Sequence, residues 1–322
     1  MAQEIRLTGS VPFEYAGIRL DQALAQLFPD YSRSRLQQWI RAGGVVVDGM
    51  PLRAKDKVQG GERIDVQGRI DDDPRVIPQA IRLSVVYEDR SLLVLDKPAG
   101  LVVHPGAGNR DGTVQNALLN LDPRLAEVPR AGLVHRLDKD TSGLMVVARN
   151  VAAHKRLVEQ LQARTVTREY LALVAGTFTG GGTVDRPVGR HPRDRKRQAV
   201  TEAGRPAVTH YRIEERFRAH TLLRVRLETG RTHQIRVHMA AIGHPLVGDP
   251  VYGGRMMLPK GATEPLRRAL AGFRRQALHA WRLSLEHPET GERMRWQAPI
   301  PPDLGTLLDV MRRECPALTT PP

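Results

Sequence analysis

The chain has 322 residues, 41% of them hydrophobic, which is enough for a buried core and long enough for two domains of unequal size. Its 49 Lys and Arg stand against 35 Asp and Glu, and a net charge of +14 favours a polyanionic partner, nucleic acid before any other. One cysteine, Cys315, excludes an internal disulfide or a cysteine zinc centre; aromatics at 4% argue against serial base stacking; no signal-like segment or membrane-length apolar run occurs, so a soluble cytoplasmic protein is expected, without membrane contact.

Residues 18–66 read as a small helix–helix–strand module. Leu20, Leu24, Leu27 and Phe28 share one helical face, and Pro29 stops that helix because proline cannot continue the hydrogen-bond ladder. Asp30 or Ser32 can cap a second helix bearing Leu36, Trp39 and Ile40, and Gly43-Gly44 ends it. Val45-Val46-Val47 reads as a strand, Asp48-Gly49 as a tight hairpin turn, and Arg63–Val66 as a second short strand. Arg33, Arg35, Arg41, Arg53, Lys55 and Lys57 lie on its solvent sides, as a phosphate-binding surface or an ordinary charged face would have them.

Residues 67–80, with three aspartates and two prolines, read as an exposed linker. Beyond it the chain is strand-rich. Leu92–Leu95 and Leu144–Val147 are short apolar runs of the buried-strand type. Leu223, Val225 and Leu227 alternate with charged residues, and Trp281, Leu283 and Leu285 alternate likewise, the period of half-exposed strands. Helices are expected at about 151–164 and 231–242, the second with Ile235, His238, Met239 and Ile242 on one face. The last residues, Leu318 to Pro322, read as frayed.

The densest chemistry is His135-Arg136-Leu137-Asp138-Lys139-Asp140-Thr141-Ser142-Gly143, a polar loop running into an apolar strand. Such a loop places its polar groups in a cleft, and a carboxylate between cations stays ionised, able to attack a carbon, stabilise an oxocarbenium-like centre or take a proton. A surface salt-bridge cluster would show the same composition. A second cationic run, Arg186, Arg190, His191, Arg193, Arg195, Lys196 and Arg197, follows Gly180-Gly181-Gly182 and reads as a flexible insertion suited to grasping RNA phosphates. Neither a phosphate-binding Walker loop nor a dinucleotide fingerprint occurs, and His233 and His238 are not in a zinc-binding frame, so no cofactor and no metal are expected.

These segments resemble two known families. GIRLDQALAQLFPDYSRSRLQQWIRAGGVVVDGMPL is similar to the S4 domain, a small RNA-binding module. The HRLD segment resembles the signature of RluA-type pseudouridine synthases, and three further stretches agree in order: DKPAGLVVHPG at 96–106, REYLALV at 168–174 and TGRTHQIRVHMAAIGHPLVGDPVYG at 229–253. Asp96, where many relatives have Asn, is a departure outside the catalytic motif.

The resemblance implies an α+β chain: an S4 domain at 17–77 and a catalytic domain at 81–315 with a mixed, mostly antiparallel sheet. It implies isomerisation of uridine to pseudouridine without cofactor. Asp138 is then the catalytic carboxylate, Arg231 its ion-pair partner, and Tyr170 the ring that stacks on the base. Arg136 acts on the RNA where the nucleotide is extruded, and His135 supports the loop; His104 and His279 are expected to be structural. Arg190, Lys196 and Arg197, with Arg33 and Arg35 of the S4 module, complete the RNA-binding set. The implied partner is 23S rRNA or a large-subunit precursor, with the loop of helix 69 as target and a monomeric enzyme. The alternatives are a sister synthase acting at another rRNA or tRNA site, and a non-catalytic S4-type assembly factor.

Overall fold

The computed structural model describes residues 3–29, 31, 33–70, 76–106, 108–194 and 197–314. Asp30, Ser32, Lys196, Arg195, Cys315, the end at 318–322 and linker residues 71–75 lie outside them. The chain divides into two units, Met1–Val76 and Ile77–Pro322.

The first unit contains β1 (Gln3–Ser10), α1 (Leu20–Leu27), α2 (Arg33–Arg41), β2 (Val45–Val47), β3 (Met50–Pro51) and β4 (Arg63–Ile70). Its antiparallel sheet has the order β1-β4-β2-β3. The expected helices and hairpin are present, and Asp48 and Gly49 both take positive φ, 48° and 78°, as a two-residue hairpin turn requires. Strand β1 lies outside the sequence expectation, and β4 runs four residues further than expected, because the two pair along their full length from Gln3↔Ile70 to Ser10↔Arg63. The signal was the alternation of Ile5 and Leu7 with polar neighbours, a period of two. Leu20, Leu24, Leu36, Trp39, Val45, Ile64 and Val66 close one core between the helices and the sheet.

The second unit begins with β5 (Ser84–Glu88), β6 (Leu92–Lys97), α3 (Val114–Leu121), β7 (Ser142–Ala148), α4 (Val151–Gln162) and β8 (Thr167–Ala175). It continues through β9 (Gly182–Asp185), β10 (Val188–Arg190), β11 (Gln198–Val200), β12 (Val208–Arg216) and β13 (His220–Leu227). It ends with α5 (Gln234–Ala241), α6 (Glu264–Gly272), β14 (Leu278–Glu286), β15 (Arg293–Gln297) and α7 (Pro302–Glu314). A nine-stranded sheet has the order β5-β6-β7-β14-β8-β13-β12-β9, with β15 paired to β14. Only β7 and β14 run parallel, so the sheet is mixed and mostly antiparallel, and the fold class is α+β.

The apolar runs at 92–95 and 144–147 are buried strands; β7 is buried at all seven positions because both of its faces are covered. Leu92, Val94, Leu144 and Val146 pack with Leu157 of α4 in one core, while α6 and α7 cover Leu171, Leu173 and Leu222 in another. The alternation expected in β14 is broken at a bulge between Ala280 and Arg282. Trp281 is left half-buried there, with the Arg282 guanidinium 3.7 Å from its ring centre. Within residues 186–200, β10 and β11 pair as a short antiparallel hairpin; of the cationic run Arg190 ends β10, while His191, Arg193 and Arg197 lie in the connection between the two strands.

The parallel contact is short, Ser142↔His279 and Gly143↔Ala280, and brings the end of the polar loop against β14. Gly143 has φ +110°, and a Cβ there would lie 2.2 Å from the Ala280 carbonyl oxygen. Gly143→Ala therefore strains the backbone and wedges the two strands apart. It is expected to lower the unfolding free energy by about 2 kcal/mol or more, read as a lower urea midpoint at unchanged m-value.

Candidate active site

The loop before β7 is fastened from several sides. Leu137 is buried while Arg136 and Lys139 face solvent and Asp138 is half-buried. The Val146 N–H donates to His135 Nε2 at 3.1 Å, so the imidazole proton is on Nδ1. Burial pushes the His135 pKa down to about 3, helped by the nearby Arg168 charge, so the ring is a neutral strut.

Lys97, at the end of β6 and 1% exposed, donates its ammonium to the carbonyls of Pro98, Leu101 and Lys139 at 2.7–2.9 Å. Burial lowers its pKa to about 7, against the pull of Asp140 and Asp138. The Gly100 N–H adds a bond to the Lys139 carbonyl, so the turn at 98–101 and the polar loop are one hydrogen-bonded unit.

Asp138 Oδ2 accepts a hydrogen bond from Arg236 Nη1 at 3.1 Å. The remaining edge of that guanidinium grips Asp249, Nε to Oδ2 at 2.7 Å and Nη2 to Oδ1 at 2.9 Å. Asp249 is itself held by the N–H groups of Val251 and Tyr252. Burial opposes charge on both partners, yet the hydrogen bonds prevail: Arg236 is held above the ordinary arginine range and Asp249 below the ordinary carboxylate range. A planar five-donor fork is the group that can serve two carboxylates at once.

A second line of contacts reaches Asp138 through His233, which caps α5 in the left-handed conformation at φ 58°. The Gln198 N–H of β11 donates to the Tyr252 hydroxyl at 2.8 Å. Tyr252 in turn sits 2.7 Å from His233 Nδ1, and His233 Nε2 lies 3.9 Å from Asp138 Oδ1. The Tyr252–Nδ1 bond holds the ring so that Nε2 faces Asp138. Burial lowers the His233 pKa, while Asp138 pulls it back up.

The pairing expected between Arg231 and Asp138 is not made. Arg231 lies before α5, its Nε donating to the Pro206 carbonyl at 3.1 Å and its backbone N–H to Gln234 Oε1 at 2.9 Å. Burial and then the charges of Arg205 and Arg164 lower its pKa. Arg236, five residues on and inside the helix, takes the position beside the carboxylate. The legible signal was a charged residue within Ile235–Met239, a stretch buried throughout: a cation there demands a carboxylate.

These groups surround a cleft of about 580 Å³, whose wall includes Asp138, Tyr170, Arg136, Arg231, His233 and Arg236. Tyr170 rises from β8 with 6% exposure, and burial raises its pKa, so the phenol is protonated at neutral pH. Arg136 is exposed on the rim. His104 also lines the cleft, and its buried Nε2 has no partner among the described residues. His279 bonds Ser142 Oγ through Nδ1.

Arg190 is exposed on β10, Arg197 stacks on the Tyr252 ring at 5.3 Å, and Lys196 lies outside the described residues. In the first unit, Arg33 donates twice to the buried Asp21, whose carboxyl is lowered by the bonds from Arg33, Gln37 and Arg19 despite its burial. Half of the Arg33 fork is therefore committed internally, while its side chain remains 45% exposed. Arg35 is half-buried in α2. Arg236, Asp249, His233, Tyr252, Lys97 and Arg168 were absent from the sequence-based set.

Arg236→Ala leaves the buried Asp249 and the half-buried Asp138 without their cation and is expected to cost about 3–5 kcal/mol in unfolding free energy. Arg236→Lys keeps the charge but cannot bridge both acids, so its turnover should fall more than its thermal midpoint. A His135-dependent loss of stability with acid is also expected. Its folded pKa, about 3, lies below the unfolded 6.5. The unfolded chain therefore binds the proton first, and stability present above pH 6.5 drains away as pH falls toward 3. Urea titrations of wild type and His135→Gln at pH 7 and pH 5 read the difference.

A family model described as RNA pseudouridylate synthase matches residues 91–241, and an S4 domain model matches residues 18–64. Ribosomal large subunit pseudouridine synthase D of Escherichia coli strain K12 is 58% identical over 315 residues, 98% of this chain and 97% of that protein. The protein of the same description from Xanthomonas campestris pv. campestris is 59% identical over 304 residues, 94% of this chain and 92% of its own. Among solved structures, human RNA pseudouridylate synthase domain containing 1 aligns with a TM-score of 0.56 at 27% identity, covering 76% of this chain and 92% of that one. With two motif-bearing units in the same order and relatives that match it nearly end to end, the chain belongs to the RNA pseudouridylate synthase family and is an isomerase that carries an S4 domain.

Proposed function

We propose that this chain converts uridines of 23S rRNA to pseudouridine, with the loop of helix 69 as its target and Asp138 as the catalytic carboxylate. It works as a cytoplasmic monomer. The observation that carries the proposal is the Asp138 carboxylate, anchored by Arg236 in the wall of a cleft that Tyr170 shares. The relatives described as ribosomal large subunit synthases support the RNA class.

The reaction breaks the N1–C1′ bond, turns the uracil and joins C5 to C1′; the C5 proton leaves, N1 gains one, and nothing is oxidised. Cleavage puts positive character on C1′, which an adjacent fixed carboxylate stabilises. The leaving base is kept, so the second carboxylate of a glycosidase is unnecessary. Tyr170, protonated and buried, offers a ring for the base to stack on and a hydroxyl near the C5 proton.

A stacked base must be everted to reach C1′, at a cost of a few kcal/mol that is least in a loop. Arg136 on the exposed rim fills the place the nucleotide leaves. The rim arginines, Arg190 and Arg197 of the hairpin, Lys196, and Arg33 and Arg35 of the S4 domain hold phosphates, which makes binding fall steeply with salt.

Asp138→Asn is expected to cut tritium release from 5-tritiated uridine in transcribed 23S rRNA by at least about 10³-fold, with RNA affinity nearly unchanged. Undiminished turnover defeats the assignment of Asp138. Pseudouridine mapping in rRNA from cells lacking the gene should show the loss in helix 69, and loss elsewhere would reassign the target.

A further inference from the structure

Among the described residues, Arg168 is a buried cation with no counterpart. It is 9% exposed, lines the cleft, and makes no hydrogen bond or ion pair with any described residue; its Nε is sealed from solvent without an acceptor. A guanidinium carries five donors and does not lose its charge, and leaving it buried and unpaired costs several kcal/mol. Folded proteins rarely keep such a group unless a ligand completes it. Glu169, its chain neighbour, does not answer it. That side chain points to the opposite face of β8, where it lies 4.0 Å from Arg282.

The same strand geometry puts Arg168 beside the reacting centre. Arg168 and Tyr170 are two residues apart on β8 and so share the face that looks into the cleft with Asp138. Room for the guanidinium is made by Gly230, three residues past the end of the neighbouring strand β13: a Cβ there would come within 2.8 Å of Arg168 Nη1. Glycine at that position of the TGRTHQIR segment leaves the donor edge clear.

We infer that Arg168 is a catalytic residue that hydrogen-bonds a carbonyl oxygen of the everted uracil and takes up the negative charge released when the N1–C1′ bond breaks. This rests on the function proposed above. Both electrons of that bond leave with the base, and the charge spreads over N1, O2 and O4; a fixed, desolvated donor aimed at one of those oxygens favours the cleaved state over the intact nucleotide. The base is the fitting partner because of depth. Arg136, Arg164 and Arg205 are exposed around the cleft and suit phosphates, which stay near water, whereas the everted base is the part of the RNA that reaches the floor.

The test compares wild type, Arg168→Met and Arg168→Lys in the full chain, under single turnover at saturating RNA. Target uridines carry O2, O4 or either of these replaced by sulfur. Arg168→Met should slow pseudouridine formation by about 10²-fold with RNA affinity changed by less than about three-fold, and Arg168→Lys should recover part of the rate. The sulfur replacement that slows wild type should have no further effect in Arg168→Met, a non-additivity that a merely structural arginine would not produce.

Wild-type rates in Arg168→Met, a loss confined to RNA affinity, or equal sulfur effects in both proteins would overturn the inference. So would non-additivity with a methylphosphonate at the target nucleotide, which marks a phosphate contact. Failure of the underlying function looks different: wild type itself then forms no pseudouridine.

Discussion

Everything at this site depends on one guanidinium shared between two acids. Arg236 holds Asp249 with two short bonds on one edge and Asp138 with a single bond on the other. The asymmetry has a physical use. The Asp249 end is rooted in backbone N–H groups and sealed from water, so it fixes the arginine; the Asp138 end is looser and half-buried, so it leaves a carboxylate oriented yet able to face a ligand. Removing water around such a pair strengthens the field it presents to a developing charge.

The rest of the second unit can be understood as support for that arrangement. The parallel pairing of β7 and β14 at Gly143 sets the exit of the polar loop, Lys97 ties its middle to the turn at 98–101, and His135 ties its start to β7. The three anchors approach from different elements, so the loop carrying Asp138 has little freedom despite its lack of regular structure. Side chains held this way keep their positions without help from a ligand.

The basic hairpin is coupled to the same centre. Its Gln198 N–H meets the Tyr252 hydroxyl, Arg197 and Arg236 lie 5.3 and 5.0 Å from the Tyr252 ring centre, and Tyr252 touches His233 beside Asp138. A ribbon suited to phosphates is thus in contact, through one tyrosine, with the residues that orient the acid.

The local patterns of the chain were sufficient for much of this. Period-two alternation and apolar runs marked β6, β7 and β13, helical spacing with Pro29 and Gly43-Gly44 marked the S4 helices, and the order of four motifs marked the family. That Asp138 and Tyr170 stand in segments of one cleft was legible because those segments are distinctive in themselves. What chain order cannot tell is which of several arginines meets a given carboxylate. Arg231 and Arg236 are five residues apart in one motif, and only the start of α5 at Gln234 turns the second, not the first, toward Asp138. The packing of Arg168 against Gly230, 62 residues further on, was likewise decided by the tertiary fold. Spacing along the chain carries local periodicity; charge pairing and desolvation depend on distances that exist only after the sheet has formed.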